Sequence, residues 1–450
     1  MITEKILENY FDRLFPLNRS ITGVDYRKSL NILSEKIPFK YHDFKSGEKC
    51  YDWIIPKEWN VKNAYIKTPD GKIIADFKKH NLHLMGYSTP VNRQISYKEL
   101  INKIHTIKEM PHAIPYATSY YKKNWGFCLK YNELKKLPKK GKYNVLVDSS
   151  LKNGFLRIGT CTIPGVSKKE ILISTYLCHP SMAVNELSGP LLALYLYDKL
   201  RKKRNYYTIR FVICPETIGS IAFLKKFGKH LKKELVAGYV LTCIGIGKGY
   251  MYKRSRNHND IVDQATIAVL KKQKKKHKLI NFFPGGSDEK QYSTPGFNFP
   301  IGLLMGKIYG TYKEYHTSLD NKKIISFKKI IDTGKIYLNA INLICKFRNK
   351  TDLESNKKKE FKKDKKENYY FSTIQHGMPF FSKKKKLPYP EIMKSRNLKV
   401  SLYMDTVLEI LNYSDGEHNL KDISKKTKKK LPYLVKIKNI LLKAGYLKKI

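Results

Sequence analysis

From residue 45 to about residue 92 apolar and polar side chains alternate through "KCYDWIIPKEWNVKNAYIKTPDGKIIADF", with "IPKEW" and "PDG" as turn signals. A period of two broken by turn residues predicts half-buried strands joined as hairpins. Between Ile171 and Phe347 the pattern changes. Short apolar or β-branched runs ("ILISTYL", "YTIRFVI", "VAGYVLTC", "FPIGLLM") alternate with longer stretches at helical spacing ("LSGPLLALYLYDKLRKK", "NDIVDQATIAVLKKQKKK", "IISFKKIIDTGKIYLNAINLICKF"). Strand and helix in alternation predict an α/β domain, a parallel sheet with helices on both faces.

The segment "NKTDLESNKKKEFKKDKKENYY" is charged and short of apolar residues, which predicts a linker over residues 351–370. Beyond it, three short helix patterns, a glycine turn and the apolar-basic "LLKAGYLKKI" predict a winged-helix module over residues 371–450, separable from the α/β domain. The chain opens on "MITEKILENYFDRLFPLNRS", an amphipathic helix pattern with acids in its first turns and without the continuous apolar run of a signal peptide.

Composition narrows the class. With 450 residues, 42% of them hydrophobic, the chain has room for a large core and more than one domain, which excludes fibrous and disordered proteins. Its formal charge is +50, from 88 Lys and Arg against 38 Asp and Glu. Because the lysines are spread along the whole chain, they read as solvated faces, and a nucleic-acid partner is not expected. The 7 cysteines lack CxxC spacing, so neither a disulfide framework nor a cysteine zinc cage is indicated. The absence of any 18-residue apolar run predicts no membrane span, and the expected compartment is the cytoplasm, with homo-oligomerisation left open.

In a doubly wound sheet ligands bind beyond the carboxyl ends of the strands. His179, Asn185 and Glu186 follow "ILISTYL"; Glu216 follows "YTIRFVI" in "CPETIGS"; Asp288 and Glu289 lie in the glycine loop "FFPGGSDEKQY"; Glu314, Tyr315, His316 and Asp320 follow "FPIGLLM". Imidazoles and carboxylates gathered from separate loops form the ligand set of hydrolytic zinc, where three protein ligands leave one position open. In "YKRSRNHND", Arg254 and Arg256 fall where a substrate carboxylate or phosphate would lie. "SYYKKNWGF" offers Tyr120, Tyr121 and Trp125 as cleft aromatics, and "NRSITG" offers Arg19 as an anion-binding group.

The run "YLCHPSMAVNELSGP", then "CPETIGS", "GGSDEKQY" and "YKEYHTSLDN", resembles the aminopeptidase-like proteins of bacterial polysaccharide-biosynthesis loci. The upstream stretches "RLFPLNRSITG", "YDWIIPKEWN", "NLHLMGYSTPVN" and "AIPYATSYYKKNWGFC" extend the likeness over nearly the whole chain. That family is in turn similar to zinc aminopeptidases and glutaminyl cyclases. The resemblance implies a zinc-exopeptidase-like (phosphorylase/hydrolase-like) three-layer sandwich over residues 1–44 and 121–350, an inserted β domain over residues 45–120, and the C-terminal winged helix. It implies His179 as the first metal ligand, Glu216 as a ligand or the base, and His316 as the last ligand, with Asp288 or Glu289 supplying a further carboxylate. The full set expected is His179, Glu186, Asp288 and His316 as metal ligands, Glu216 and Glu289 as catalytic carboxylates, and Asn185, Arg254, Arg256 and Tyr315 as substrate-binding residues.

Two departures from the di-zinc pattern predict a single Zn2+. Asn185 stands where a bridging aspartate is expected, and Pro215 precedes Glu216 where a second glutamate is expected. A neutral amide does not neutralise two dications. The function expected is a zinc-dependent hydrolase that cleaves an amide bond in a small peptide or an N-acylated sugar. The alternatives are a binding protein without turnover on the same fold and a DNA-binding regulator.

Overall fold

The computed structural model describes residues 1–347, 369–381 and 398–449. Most of the expected linker, residues 351–368, lies outside the described residues, and Tyr369–Ser372 is a strand. The central sheet has eight strands in the order Lys40–Lys45, Phe155–Ile163, Tyr207–Cys214, Ser167–Tyr176, Leu235–Leu241, Ile301–Met305, Tyr250–Lys253 and His277–Ile280. The four strands from Tyr207–Cys214 to Ile301–Met305 run parallel, as expected. The sheet is nevertheless mixed, because Lys40–Lys45 and Phe155–Ile163 join one edge antiparallel and Ile301–Met305 pairs antiparallel with Tyr250–Lys253. Apolar runs mark a buried strand without fixing its direction.

The helices Ser188–Leu200, Ile261–Lys272 and Phe327–Lys346 pack together on the sheet, and Ile218–Glu234 packs on Phe155–Ile163, Tyr207–Cys214, Ser167–Tyr176 and Leu235–Leu241. Ser188–Leu200 is buried along almost its whole length, which its unbroken apolar sequence requires. Its second residue must be glycine. A Cβ on Gly189 would lie 2.2 Å from Thr175 Oγ1 and 2.4 Å from Leu241 O, so the helix approaches the sheet as closely as backbone allows. The N-terminal amphipathic pattern forms Glu4–Leu14, capped by the Thr3 side chain, with Leu7, Tyr10, Phe11 and Leu14 buried.

The expected inserted strands form a second, antiparallel sheet in the order Ile73–Ile74, Glu58–Lys67, Lys142–Lys152 and Val91–Ser96. It extends past residue 120, since Lys142–Lys152 supplies one of its two inner strands, alternately burying Tyr143, Val145 and Val147. Toward the C-terminus, helices Leu398–Tyr413, Leu420–Thr427 and Leu431–Lys443 accompany a three-stranded antiparallel sheet with Tyr369–Ser372 in its centre.

This module is not set apart from the α/β domain. The stretch "IQHGMPFF" carries apolar residues that seat it on the domain: Trp53 stacks on Phe380 at 4.6 Å and donates its indole N–H to Met378 O at 2.7 Å. The buried apolar residues of both parts form one continuous core. Among the described residues no helix is long and apolar enough to cross a membrane.

Candidate metal and catalytic site

Four adjacent parallel strands end at one edge of the sheet. Beyond Ser167–Tyr176 the chain places His179, beyond Tyr207–Cys214 it places Glu216, beyond Leu235–Leu241 Thr242 and Cys243, and beyond Ile301–Met305 the loop to His316. Thr217 (φ 65°) and His316 (φ 55°) adopt left-handed backbone that side-chain-bearing residues rarely occupy. Such strain persists only where surrounding structure holds it, and it concentrates at working sites.

His179 and His316 meet with ring centroids 5.2 Å apart, the first buried and the second half-buried. His179 Nδ1 is 2.7 Å from Glu186 Oε2, and Glu186 Oε1 accepts the Cys178 N–H. Since a carboxylate only accepts, Nδ1 carries the proton and Nε2 presents its lone pair, 3.7 Å from Glu216 Oε2. Burial lowers the basicity of His179, and the adjoining Glu186 outweighs burial, so its pKa is raised overall. His316 has no such carboxylate. Burial, then the neighbouring His179, holds its pKa well below the ordinary value, and its Nε2 has no hydrogen-bond partner. A neutral imidazole with a free ring nitrogen is the form that binds metal.

Asp288 lies across from Glu216. Its Oδ1 accepts the Thr217 N–H (2.7 Å) and the Ser220 hydroxyl (2.8 Å), while Oδ2 is buried without a partner. Burial and then the nearby Glu216 raise its pKa to about 7. Burial likewise raises Glu216, against the pull of His179. The Asp288 environment is one in which a carboxyl can hold a proton near neutrality.

Donor atoms of Cys178, His179 and Glu186 also lie within 4.8 Å of one another. That trio is poorly suited to an ion, because burial keeps the Cys178 thiol protonated and Glu186 is engaged by His179 Nδ1 and Cys178 N–H. Glu186, expected as a ligand, is placed behind His179 as its orienting carboxylate.

Other expected residues divide between the site and its supports. Tyr315 stacks on His316 at 3.9 Å. Asn185 is buried with its side-chain oxygen unpartnered, and its backbone N–H and that of Val184 are fixed by Asp320. Where the di-zinc pattern carries further carboxylates, Tyr176 OH bonds Thr242 Oγ1 (2.6 Å) and Asn185 O (2.7 Å), a neutral network.

Glu289, expected as catalytic, is instead locked in a buried ion pair with Lys253 at 2.7 Å and also bonds Tyr309. Arg256, expected to bind substrate, is buried against Asn412 and Asp415 of the C-terminal module. Arg254 follows the strand end with its N–H on Ile280 O, and its Nε is buried without a partner. Arg19, an expected anion binder, is buried and donates to the carbonyls of Leu14 and His179.

Sequence reasoning missed Tyr116. It packs on both histidines, 5.1 Å from His179 and 5.4 Å from His316, takes the His316 carbonyl through its own N–H, and bonds Tyr120 OH at 2.9 Å. The signal was "AIPYATSYY", whose aromatics close the insertion over the site.

Residues 8–346 match the family described as domain of unknown function (DUF4910). A Clostridium acetobutylicum protein, named for polysaccharide biosynthesis with an aminopeptidase-like domain, is 39% identical over 419 residues, 93% of this chain and 90% of the relative. The chain belongs to this family. A solved C. acetobutylicum structure named as a peptidase superposes with TM-score 0.73 at 34% identity, covering 99% of this chain and 96% of that one. The zinc aminopeptidase of Bacillus subtilis shares the fold at TM-score 0.54 and 12% identity, over 74% of this chain and 94% of its own. A peptidase M28 precursor from Shewanella amazonensis does so at 0.51 and 12%, over 76% and 92%. The family is thus aminopeptidase-like, on the zinc-aminopeptidase fold.

Proposed function

We propose that this chain is a single-zinc hydrolase of the aminopeptidase type that cleaves an amide bond. The observation that carries the reading is the meeting of two imidazoles from distant loops, half-buried His316 with its Nε2 shielded and unpartnered and buried His179 held by Glu186 so that its Nε2 faces Glu216. His179, His316 and Glu216 would hold the ion and leave a fourth position open: His179 Nε2 and Glu216 Oε2 already stand 3.7 Å apart, whereas the three donor atoms do not all lie within 4.8 Å of one another, so His316 would have to close on the ion. Zinc bound there would supply Lewis-acid polarisation of an amide carbonyl. The chain's own groups do the rest. Asp288 Oδ2, unpartnered and with a pKa about 7, takes up and returns a proton. Tyr116 and Tyr315 pack over the histidines and limit access of bulk water.

The supporting relatives favour a peptide substrate, and a role in polysaccharide biosynthesis with an N-acylated sugar as substrate is the second form of the same chemistry. Aminoacyl 4-nitroanilides and N-acetylhexosamines, each assayed before and after chelation and zinc return, test it. Zinc-dependent turnover of either class supports the reading. The neutral Asn185 and Thr242 favour the alternative of a binding protein without turnover, which predicts bound zinc and no hydrolysis of either class.

A further inference from the structure

We propose that the C-terminal module braces the loop that carries Asp288, with Arg256 and Asn412 as positioning residues. The loop "PGGSDEKQY" begins with two glycines, and Gly286 (φ 98°) is in left-handed backbone, so the loop has little intrinsic rigidity. It is held from two sides. On the sheet side Lys253, fully buried at the end of Tyr250–Lys253, donates to Gly285 O (2.9 Å), Glu289 Oε1 (2.7 Å) and Tyr309 OH (2.7 Å).

Thr217 N–H and the Ser220 hydroxyl hold Asp288 itself, and on the other side the end of the loop is anchored from beyond residue 370. Asn412 Nδ2 donates to Ser293 O (3.0 Å), Met378 N–H to Gln291 Oε1 (2.7 Å), Gly377 N–H to Thr294 Oγ1 (3.3 Å), and Gly296 N–H reaches back to Gln375 O (2.7 Å). Arg256 sets Asn412 in place. Its Nε donates to Asn412 Oδ1 (2.8 Å), its Nη2 to Asn412 O (2.9 Å), and it pairs with Asp415. Two buried cations three positions apart, Lys253 and Arg256, therefore fix the front and the back of one loop, the second of them through the module.

A module added only to bind a separate partner would not need buried polar bonds to the backbone of this loop, because each buried polar group left unmatched would be costly. The consequence for hydrolysis rests on the function proposed above, whereas the brace itself does not.

Hydrogen exchange on the full chain separates the two. The Thr217 N–H bonds Asp288 Oδ1, Gln291 N–H bonds Asp288 O and Ser293 N–H bonds Glu289 O, so these three amides report the loop directly. Asn412→Asp keeps an acceptor for Arg256 and replaces the donor to Ser293 O by a carboxylate oxygen. The three amides are expected to exchange at least about tenfold faster, with helices Ile261–Lys272 and Leu431–Lys443 unchanged. If Asn412→Asp does not fold, Gln291→Ala, which removes the acceptor of the Met378 N–H, gives the same readout.

In a turnover assay Asn412→Asp is expected to lower kcat with little change in KM. Unchanged exchange at the three amides would overturn the brace even if the protein hydrolyses amides. Faster exchange in a protein without turnover would uphold the brace while removing the hydrolase reading.

Discussion

His179 Nδ1 and Glu186 Oε2 are 2.7 Å apart in a fully buried pair, and this one bond decides which nitrogen of His179 faces the centre of the site. In the proposed single-zinc site Glu186 would act on the metal through His179 instead of as a ligand. Glu186→Gln keeps the shape and removes the charge that orients and strengthens the imidazole. Zinc affinity is expected to fall about 10–100-fold, measured by competition with a chromophoric chelator, without loss of the site. Complete loss of zinc binding would make Glu186 a direct ligand.

In the proposed site the neutral Asn185, with its unpartnered oxygen, and Thr242, bonded to Tyr176, would leave a second ion without the charge it needs. Asn185→Asp is expected to raise zinc capacity from one toward two equivalents by elemental analysis. An unchanged single equivalent in the variant would show that Thr242 and Tyr176 alone exclude the second ion.

Gly189 tests the packing beneath the site. In Gly189→Ala the new methyl meets Thr175 Oγ1 and the Leu241 carbonyl, and neither the strand backbone nor the buried helix can yield freely. A stability loss of about 1–3 kcal/mol by denaturant unfolding is expected, with weaker metal binding because the turn that leads into the helix, Ala183–Leu187, carries Asn185 and Glu186.

The module's seat has a defined acid limit. Asp415 is buried, which alone would raise its pKa, yet hydrogen bonding from His418 and the charge of Arg256 hold it at about 2 against an ordinary 3.8. A carboxyl whose folded pKa is depressed adds stability above its unfolded pKa and loses it as pH falls through the folded one. The contribution, about 2 kcal/mol, is thus present above pH ~4 and gone below pH ~2. Asp415→Asn is expected to flatten the stability profile across that window, and an unaltered acid profile would remove Asp415 from the account.

His179 and Glu216 were legible in sequence because each follows an apolar run within a few residues, and the carboxyl end of a parallel strand is where chemistry collects. His316 stands at the far end of a longer loop after Met305, and Asp288 was legible only from the glycine pair before it. Arg256 was not, since its partners Asn412 and Asp415 lie beyond a charged stretch that reads as a boundary. Glu289 was misjudged because its partner, Lys253, ends a strand in a chain where lysine is everywhere. Tyr116 escaped notice because an aromatic in a strand-rich insertion has no periodic signature of facing another domain. The antiparallel edge strands Lys40–Lys45 and Phe155–Ile163 were hidden because alternation reports burial and not direction.

The central claim is that His179 and His316 bind one zinc ion that drives amide hydrolysis. Elemental analysis of the purified protein, beside His316→Ala, tests it most directly. The account predicts about one equivalent of zinc in the native chain, less than about a tenth of an equivalent in the variant, and loss of any aminoacyl-anilide turnover with it. Zinc retained in full by His316→Ala, two equivalents in the native chain, or native protein that binds none would contradict it.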